Sequence, residues 1–216
     1  MSLIQIERKV LEKNDTIANE NRNIFKDRNI FVLNMISSPG SGKTSIIEQI
    51  IPNLLEKFKV AVVEGDVQTD LDARRVDALG VPVVQIVTNG GCHLEAGLVR
   101  DAISNFSDLN FNMIIIENVG NLVCPAGWDL GEDLKMTVIS VTEGEDKPLK
   151  YPAVFRNSEV VIINKIDLLP YLKFSIDVLK KNILQINPKV KIFETSCFEK
   201  TGIDDLCEWI SRKLKI

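Results

Sequence analysis

Eight consecutive residues, Ser37-Ser38-Pro39-Gly40-Ser41-Gly42-Lys43-Thr44, end in Gly-Lys-Thr and are followed by Ser45. A run of small residues lets the backbone curl until successive N–H groups face one oxyanion. A helix starting there adds the positive potential of its first turn. Lys43 is then placed to reach the outer phosphates of a nucleoside triphosphate, and the Thr44 hydroxyl to bind Mg²⁺. The first glycine of the usual pattern is Ser37 here, so the match leans on the apolar strand before the loop and the helical pattern after it.

Three further segments carry groups suited to the same ligand. Asn164-Lys165-Ile166-Asp167 follows the apolar run EVVII. A carboxylate at Asp167 can accept from guanine N1–H and the 2-amino group together, a donor pair that adenine lacks, so a nucleotide read there is GTP or GDP. Ser196-Cys197 follows the last apolar run, where a loop can touch the base through its backbone. Glu117-Asn118-Val119-Gly120 follows FNMIII; an acid at a strand end can hold Mg²⁺ through water, and the Gly120 N–H can bond a γ-phosphate. Asp66 and Asp72 follow the second strand. Each is either a further Mg²⁺- or water-positioning carboxylate, Asp66 beside Thr44 and Glu117, or simply a helix cap. Lys43, Thr44, Asp66, Asp72, Glu117 and Gly120 are thus the candidates for phosphate chemistry. Ser38 to Ser45, Asn164, Lys165, Asp167, Ser196 and Cys197 are the candidates for nucleotide binding.

The chain has four cysteines and one histidine, and Cys92 and His93 are adjacent. Cys124 lies seven residues beyond Glu117. Two thiolates and an imidazole make a soft set suited to Ni²⁺ or Zn²⁺, with a fourth position left open. Spacing alone leaves two readings, a metal site or a pair of core thiols beside a capping histidine.

The elements that must position these groups are legible in the apolar pattern. Seven runs, 30–36, 59–64, 81–87, 111–117, 136–142, 159–165 and 189–195, are β-rich and mostly apolar at successive positions, as in strands covered on both faces. Helical patterns lie between them, clearest at Ser45–Lys57, Leu94–Phe106, Lys173–Ile186 and Ile203–Leu214, with a kink or break expected at Pro52. Alternation of this kind predicts an α/β fold, a doubly wound and mostly parallel sheet of about seven strands. Its phosphate, Cys92 and Cys124 loops leave from one edge. Residues 1–28 predict an amphipathic N-terminal helix with apolar positions Ile4, Ile6, Val10, Leu11, Ile17, Ala18, Ile24 and Phe25, ahead of a domain over 29–216.

With 216 residues the chain suits one such domain. A net charge of −4 gives no reason to expect nucleic acid or an anionic membrane as partner. No stretch reaches the roughly 18 apolar residues of a membrane span, and the charged N-terminus lacks a signal-peptide core, so a cytoplasmic location is expected.

Across nearly its whole length the sequence resembles the HypB family of hydrogenase nickel-incorporation GTPases, in the SIMIBI class of P-loop proteins. The resemblance rests on Asn21-Arg22, Ser-Ser-Pro-Gly-Ser-Gly-Lys-Thr, Glu-Gly-Asp-Val, Cys-His-Leu-Glu-Ala, Glu-Asn-Val-Gly-Asn-Leu-Val-Cys-Pro-Ala, Asp-Lys-Pro-Leu-Lys-Tyr-Pro and Asn-Lys-Ile-Asp-Leu-Leu. It implies slow GTP hydrolysis and a homodimer with metal bound at its interface by the positions matching Cys92, His93 and Cys124. It also implies work with a HypA-type nickel chaperone to load the hydrogenase large-subunit precursor, and in some bacteria urease. Alternatives within the class are a GTPase chaperone for another metallocentre and a UreG-like urease accessory protein, which lack the joint Cys92-His93 and Cys124-Pro125 pattern. An ATP-dependent metabolic enzyme or a non-catalytic metal buffer on the same fold are rivals outside it.

The sequence departs from the family at its N-terminus and at Asn89-Gly90, and Cys197 and Cys207 match no metal position of the family. No cysteine precedes Cys92, so an N-terminal nickel-binding cysteine motif is absent, as is a histidine-rich stretch. Asn89-Gly90 stands where Gly-Lys is frequent. No arginine is an evident finger in cis; Arg74 and Arg75 are the nearest, and Lys147 or Lys150 is expected to approach the nucleotide or a second subunit.

Overall fold

A computed structural model describes residues 3–106 and 108–214. Seven strands, β1 Phe31–Ser37, β2 Val60–Asp66, β3 Val83–Val87, β4 Met113–Glu117, β5 Leu134–Ser140, β6 Val160–Asn164 and β7 Lys191–Thr195, form one parallel sheet in the order β3-β2-β4-β1-β5-β6-β7. Each expected strand is present within a few residues of its expected ends.

The helices are α1 Leu3–Asp27, α2 Lys43–Leu55, α3 Leu71–Asp77, α4 Ala96–Ser104, α5 Lys147–Lys150, α6 Pro152–Arg156, α7 Ile176–Ile186 and α8 Ile203–Lys213. Alternation along β1 shows how they cover the sheet. Leu33 and Met35 join a core with Ile46, Ile47, Ile50, Ile51 and Leu54 of α2 and Leu206 and Ile210 of α8. Val32 faces the other way, against Phe25 of α1 and Val99 and Ile103 of α4. Ile36 lies with Phe155 of α6 and Leu179 and Ile183 of α7. Burial on both faces explains why the strands are apolar at successive positions. Each of the five fully buried α2 side chains contributes roughly 1.5–3 kcal/mol of transfer free energy, which anchors the helix that starts at Lys43.

Two expectations are corrected. Of the kink or break expected at Pro52, the break is absent, and α2 runs on to Leu55. The proline lies in its last turn, so the missing N–H costs one bond while the apolar face stays seated. α1 is present, but its buried stripe is Asn14, Ala18, Asn21 and Phe25, whereas Val10 and Ile24 are exposed. The side chains of Ile4 and Ile6 lie outside the described ones. Amide hydrogen bonds replace apolar contacts on this face. Asn14 donates to Asp129 O at 2.8 Å and accepts from Ala96 N at 2.9 Å. Asn21 donates to Ala96 O and Leu130 O and accepts from Arg100 Nε. Arg22 adds a forked contact to Asp129 at 2.7 Å.

Candidate nucleotide and metal site

β1 ends at Ser37 and α2 begins at Lys43, so the small residues between them form a tight loop at the C-terminal edge of the sheet. At Gly42 the backbone has φ +98°, and a Cβ would stand 2.4 Å from Asn164 Nδ2, so only glycine fits. The reason for that closeness is a brace: Asn164 donates to Ser41 O at 2.9 Å, and Lys165, itself at φ +64°, donates to Gly40 O at 2.7 Å. Thr195 holds Asn164 in turn, at 3.0 Å. Residues 123 and 125 positions apart in sequence thus shape one loop, and Asn164-Lys165 is built into the phosphate loop. Asp167 accepts from Ser196 Oγ at 2.5 Å, and Cys197 Sγ is 3.7 Å from Asn164 Oδ1; burial pushes the Cys197 thiol up to about 11. Ser41 donates to Ser38 O and to Glu143 Oε1, and Lys147 reaches Ser38 Oγ at 3.4 Å.

A cavity of about 420 Å³ opens between this loop and the ends of β2 and β4. Lys43 Nζ donates to Ser37 Oγ at 3.0 Å and lies 3.7 Å from Glu117 Oε1, which accepts from Thr44 Oγ1 at 2.8 Å. Glu64, Asp72 and Glu117 bring carboxylate oxygens within 4.8 Å of one another. Glu64 and Glu117 are each 2% exposed, and Oε2 of each has no hydrogen-bond partner. Like charges at that separation repel by about 3.5 kcal/mol at an effective dielectric of 20. Burial, then the Glu117 charge, pushes Glu64 up to about 11. Burial also raises Glu117 against the pull of Lys43. Buried carboxylate oxygens without partners, next to a hydroxyl at the loop end, form a donor set that fits a hard dication.

Asp66 departs from its expected place beside Thr44 and Glu117. It lines the same cavity but its Oδ1 is taken by Gln68 N, Thr69 N and Thr69 Oγ1. Burial opposes its ionisation, and the Thr69 and Gln68 amides outweigh that and hold it below the usual carboxylate range. Glu64 occupies the position in the acid cluster instead. An acid at the end of the valine run of β2, where both faces are covered, is the signal that would have found it. Asp72 does face the cluster, in the first turn of α3. Arg75 is held by Glu48 and Asp72 and reaches Ser45 Oγ, whereas Arg74 pairs with Asp70 on the surface. Lys147 reaches the phosphate loop at Ser38, and Lys150 pairs with exposed Asp146.

Cys92 and His93 follow β3, and Cys124 opens a 3₁₀ turn that runs Cys124–Gly127 beyond β4. One ligand atom from each lies within 4.8 Å of the others, and all three residues are partly exposed. Cys92 Sγ is 3.6 Å from His93 Nδ1, while His93 Nε2 is buried without a partner. A thiol–thiol hydrogen bond to Cys124, then burial, raises the Cys92 pKa; burial lowers that of His93 and favours the neutral imidazole that binds metals. Trp128, which sequence reasoning did not single out, stacks on His93 with ring centroids 4.3 Å apart and limits how the ring can turn. Of the two sequence readings, core thiols fits poorly with partial exposure.

The loop that leads to Cys124 touches the phosphate loop. Gly120 packs so closely on Pro39 that an added Cβ would lie 3.1 Å from its Cα. Asn121 Oδ1 then accepts from Val123 N at 2.7 Å and sets the turn into Cys124.

Comparison with known proteins gives consistent matches. The model of the CobW/HypB/UreG nucleotide-binding domain matches residues 31–194. The hydrogenase maturation factor HypB of Azotobacter vinelandii is 47% identical over 98% of this chain and 70% of its own length. A crystal structure of HypB from Helicobacter pylori in complex with nickel superposes with a TM-score of 0.90 at 38% identity, covering 94% of this chain and 95% of that one. The hydrogenase maturation factor HypB from Archaeoglobus fulgidus superposes with a TM-score of 0.88 at 32% identity, covering 94% and 100%.

Proposed function

Because the chain belongs to the CobW/HypB/UreG nucleotide-binding family, alongside the HypB maturation factors, we propose that it is a GTP-hydrolysing nickel carrier that helps load hydrogenase. The observation that carries this reading is the soft trio Cys92, His93 and Cys124, with the loop that leads to Cys124 packed on a phosphate loop braced by Asn164 and Lys165. Nickel is the cargo. Two thiolates and an imidazole with an open fourth position can take a metal up and give it away, and Zn²⁺ is the competing ion.

The nucleotide chemistry follows from the same geometry. Asp167 reads the guanine edge, and the Ser196-Cys197 loop closes the base side. Amides from Gly40 to Thr44 cradle the phosphates, Lys43 neutralises charge between the β- and γ-phosphates, and the Gly120 N–H meets the γ-phosphate. Thr44, Glu117 and Glu64, with Asp72 behind them, would hold Mg²⁺, which supplies charge neutralisation at the phosphates when bound. Arg75 is tied to Glu48 and Asp72, and so is not free to act as a finger. Intrinsic turnover is therefore slow, since an arginine finger is worth roughly 10³–10⁵ in rate.

The reading places the protein in the cytoplasm, where its four thiols stay reduced. It acts as a homodimer, receives or passes nickel with a HypA-type chaperone, and serves a hydrogenase large-subunit precursor. Residues 1–28 are read as an extension ahead of a GTPase domain over 29–216. No helix among the described residues is long and apolar enough to cross a membrane.

The test is GTP turnover by the purified protein against the Lys43→Ala variant. Slow release of phosphate from GTP and not ATP is expected, falling at least roughly 10²-fold in the variant. Equal turnover in the two proteins would remove the assignment of Lys43.

A further inference from the structure

We propose that Asn118 is the positioning residue that sets the two arms of the thiol–imidazole site against each other; the proposal rests on the reading of Cys92, His93 and Cys124 as the nickel site. Asn118 is 1% exposed and directly follows Glu117 at the end of β4. Its Oδ1 accepts from Leu94 N at 3.2 Å and from Val119 N at 3.0 Å. Leu94 is the residue after His93, and Val119 begins the loop that leads to Cys124. One side-chain oxygen therefore holds the bases of both ligand-bearing segments.

That oxygen is itself fixed. Asn118 Nδ2 donates to Asn34 Oδ1 at 3.2 Å, and the Asn118 backbone N–H donates to Met35 O at 2.9 Å, both on β1. The amide thus hangs from the strand that carries the phosphate loop. Leu94 is fully buried and lies over Gly65, where an added Cβ would come within 2.8–2.9 Å of the leucine side chain. The His93 arm is therefore pinned at two points, one beside Glu117 and one beside Glu64. Neither pin touches a ligand atom, and neither group titrates. Without the Asn118 oxygen, two buried N–H groups lose their acceptor, so each arm gains a reason to move towards water. Groups that orient ligands from behind commonly change metal affinity by about 10–100-fold when removed.

The test uses the full chain with GDP bound, and compares Asn118→Ala and Asn118→Asp with the unaltered protein. Ni²⁺ alone is titrated calorimetrically at fixed pH. Separately, alkylation of Cys92 by iodoacetamide is followed in metal-free protein by peptide mass spectrometry. Asn118→Ala is expected to weaken Ni²⁺ binding by about tenfold or more and to speed Cys92 labelling about fivefold or more. Asn118→Asp keeps an acceptor oxygen but loses the Nδ2 donor to Asn34, so it is expected to recover part of each change. A purely structural role would lower thermal stability in both variants alike and leave the labelling rate of folded protein unchanged. Wild-type affinity and labelling in folded Asn118→Ala would overturn the proposal, as would equal damage in the two variants. If Asn118→Ala does not fold, amide exchange in the unaltered protein decides: protection of the Leu94 N–H as long as that of β4 supports the tie, and rapid exchange overturns it. Failure of the unaltered protein to take up Ni²⁺ would count against the nickel reading alone, because the labelling comparison contains no metal.

Discussion

At the scale of single residues, the site is a set of side chains whose neighbours fix what each can do. Asp167, the residue proposed to read guanine, accepts from Ser196 Oγ at 2.5 Å, which fixes one of its oxygens. Two charge-assisted hydrogen bonds to the base are worth together about 3–6 kcal/mol, or roughly 10²–10⁴ in affinity. Asp167→Asn is expected to lose GTP affinity on that scale and to bind xanthosine nucleotides better, measured by competition against a fluorescent guanine nucleotide. Unchanged preference for GTP would detach Asp167 from base recognition. Most of this chemistry was legible in the sequence, because Gly-Lys-Thr and Asn-Lys-x-Asp are local patterns. Glu64 was not, because its role depends on β2 lying beside β4, with Glu64 in register with Glu117. Trp128 was missed for the same reason: its stacking on His93 joins segments 35 residues apart, and nothing local to either signals it.

At the scale of elements, the apolar runs foretold all seven strands, since a sheet covered on both faces needs apolar residues at successive positions. The register between strands is what brings the loops together, and it is a tertiary property. α1 shows the limit of apolar periodicity most clearly. A helix docked through Asn14 and Asn21 presents a buried stripe that a hydrophobic count reads as solvent-facing. Asn21 donates two buried hydrogen bonds, to Ala96 O and Leu130 O, and accepts a partly buried one from Arg100 Nε. Asn21→Ala is expected to cost about 2–4 kcal/mol of stability, since it removes the hydrogen bonds to the Ala96 and Leu130 carbonyls and the acceptor of Arg100. Denaturant unfolding measures this; a loss below about 0.5 kcal/mol, the size of an ordinary surface change, would show that α1 docks without the asparagine.

At the scale of the whole molecule, the loop from Gly120 to Cys124 links the proposed nucleotide site to the proposed metal trio. Gly120 touches Pro39 of the phosphate loop, and Cys124 lies four residues further on, at most about 14 Å of extended chain. A loop that shifts when a γ-phosphate arrives carries Cys124 with it, and moving one of three ligands changes metal affinity. By linkage, metal must alter nucleotide affinity by the same factor. The measurement that bears most directly on the account is an equilibrium titration of Ni²⁺ into the unaltered protein, once with GDP bound and once with a non-hydrolysable GTP analogue, at one pH, with Cys124→Ala alongside. The account predicts Ni²⁺ affinities in the two states that differ by about fivefold or more, the lower end of ordinary coupling, and loss of that difference in Cys124→Ala. Equal affinities in both nucleotide states, or Cys124→Ala binding Ni²⁺ as tightly as the unaltered protein, would contradict it.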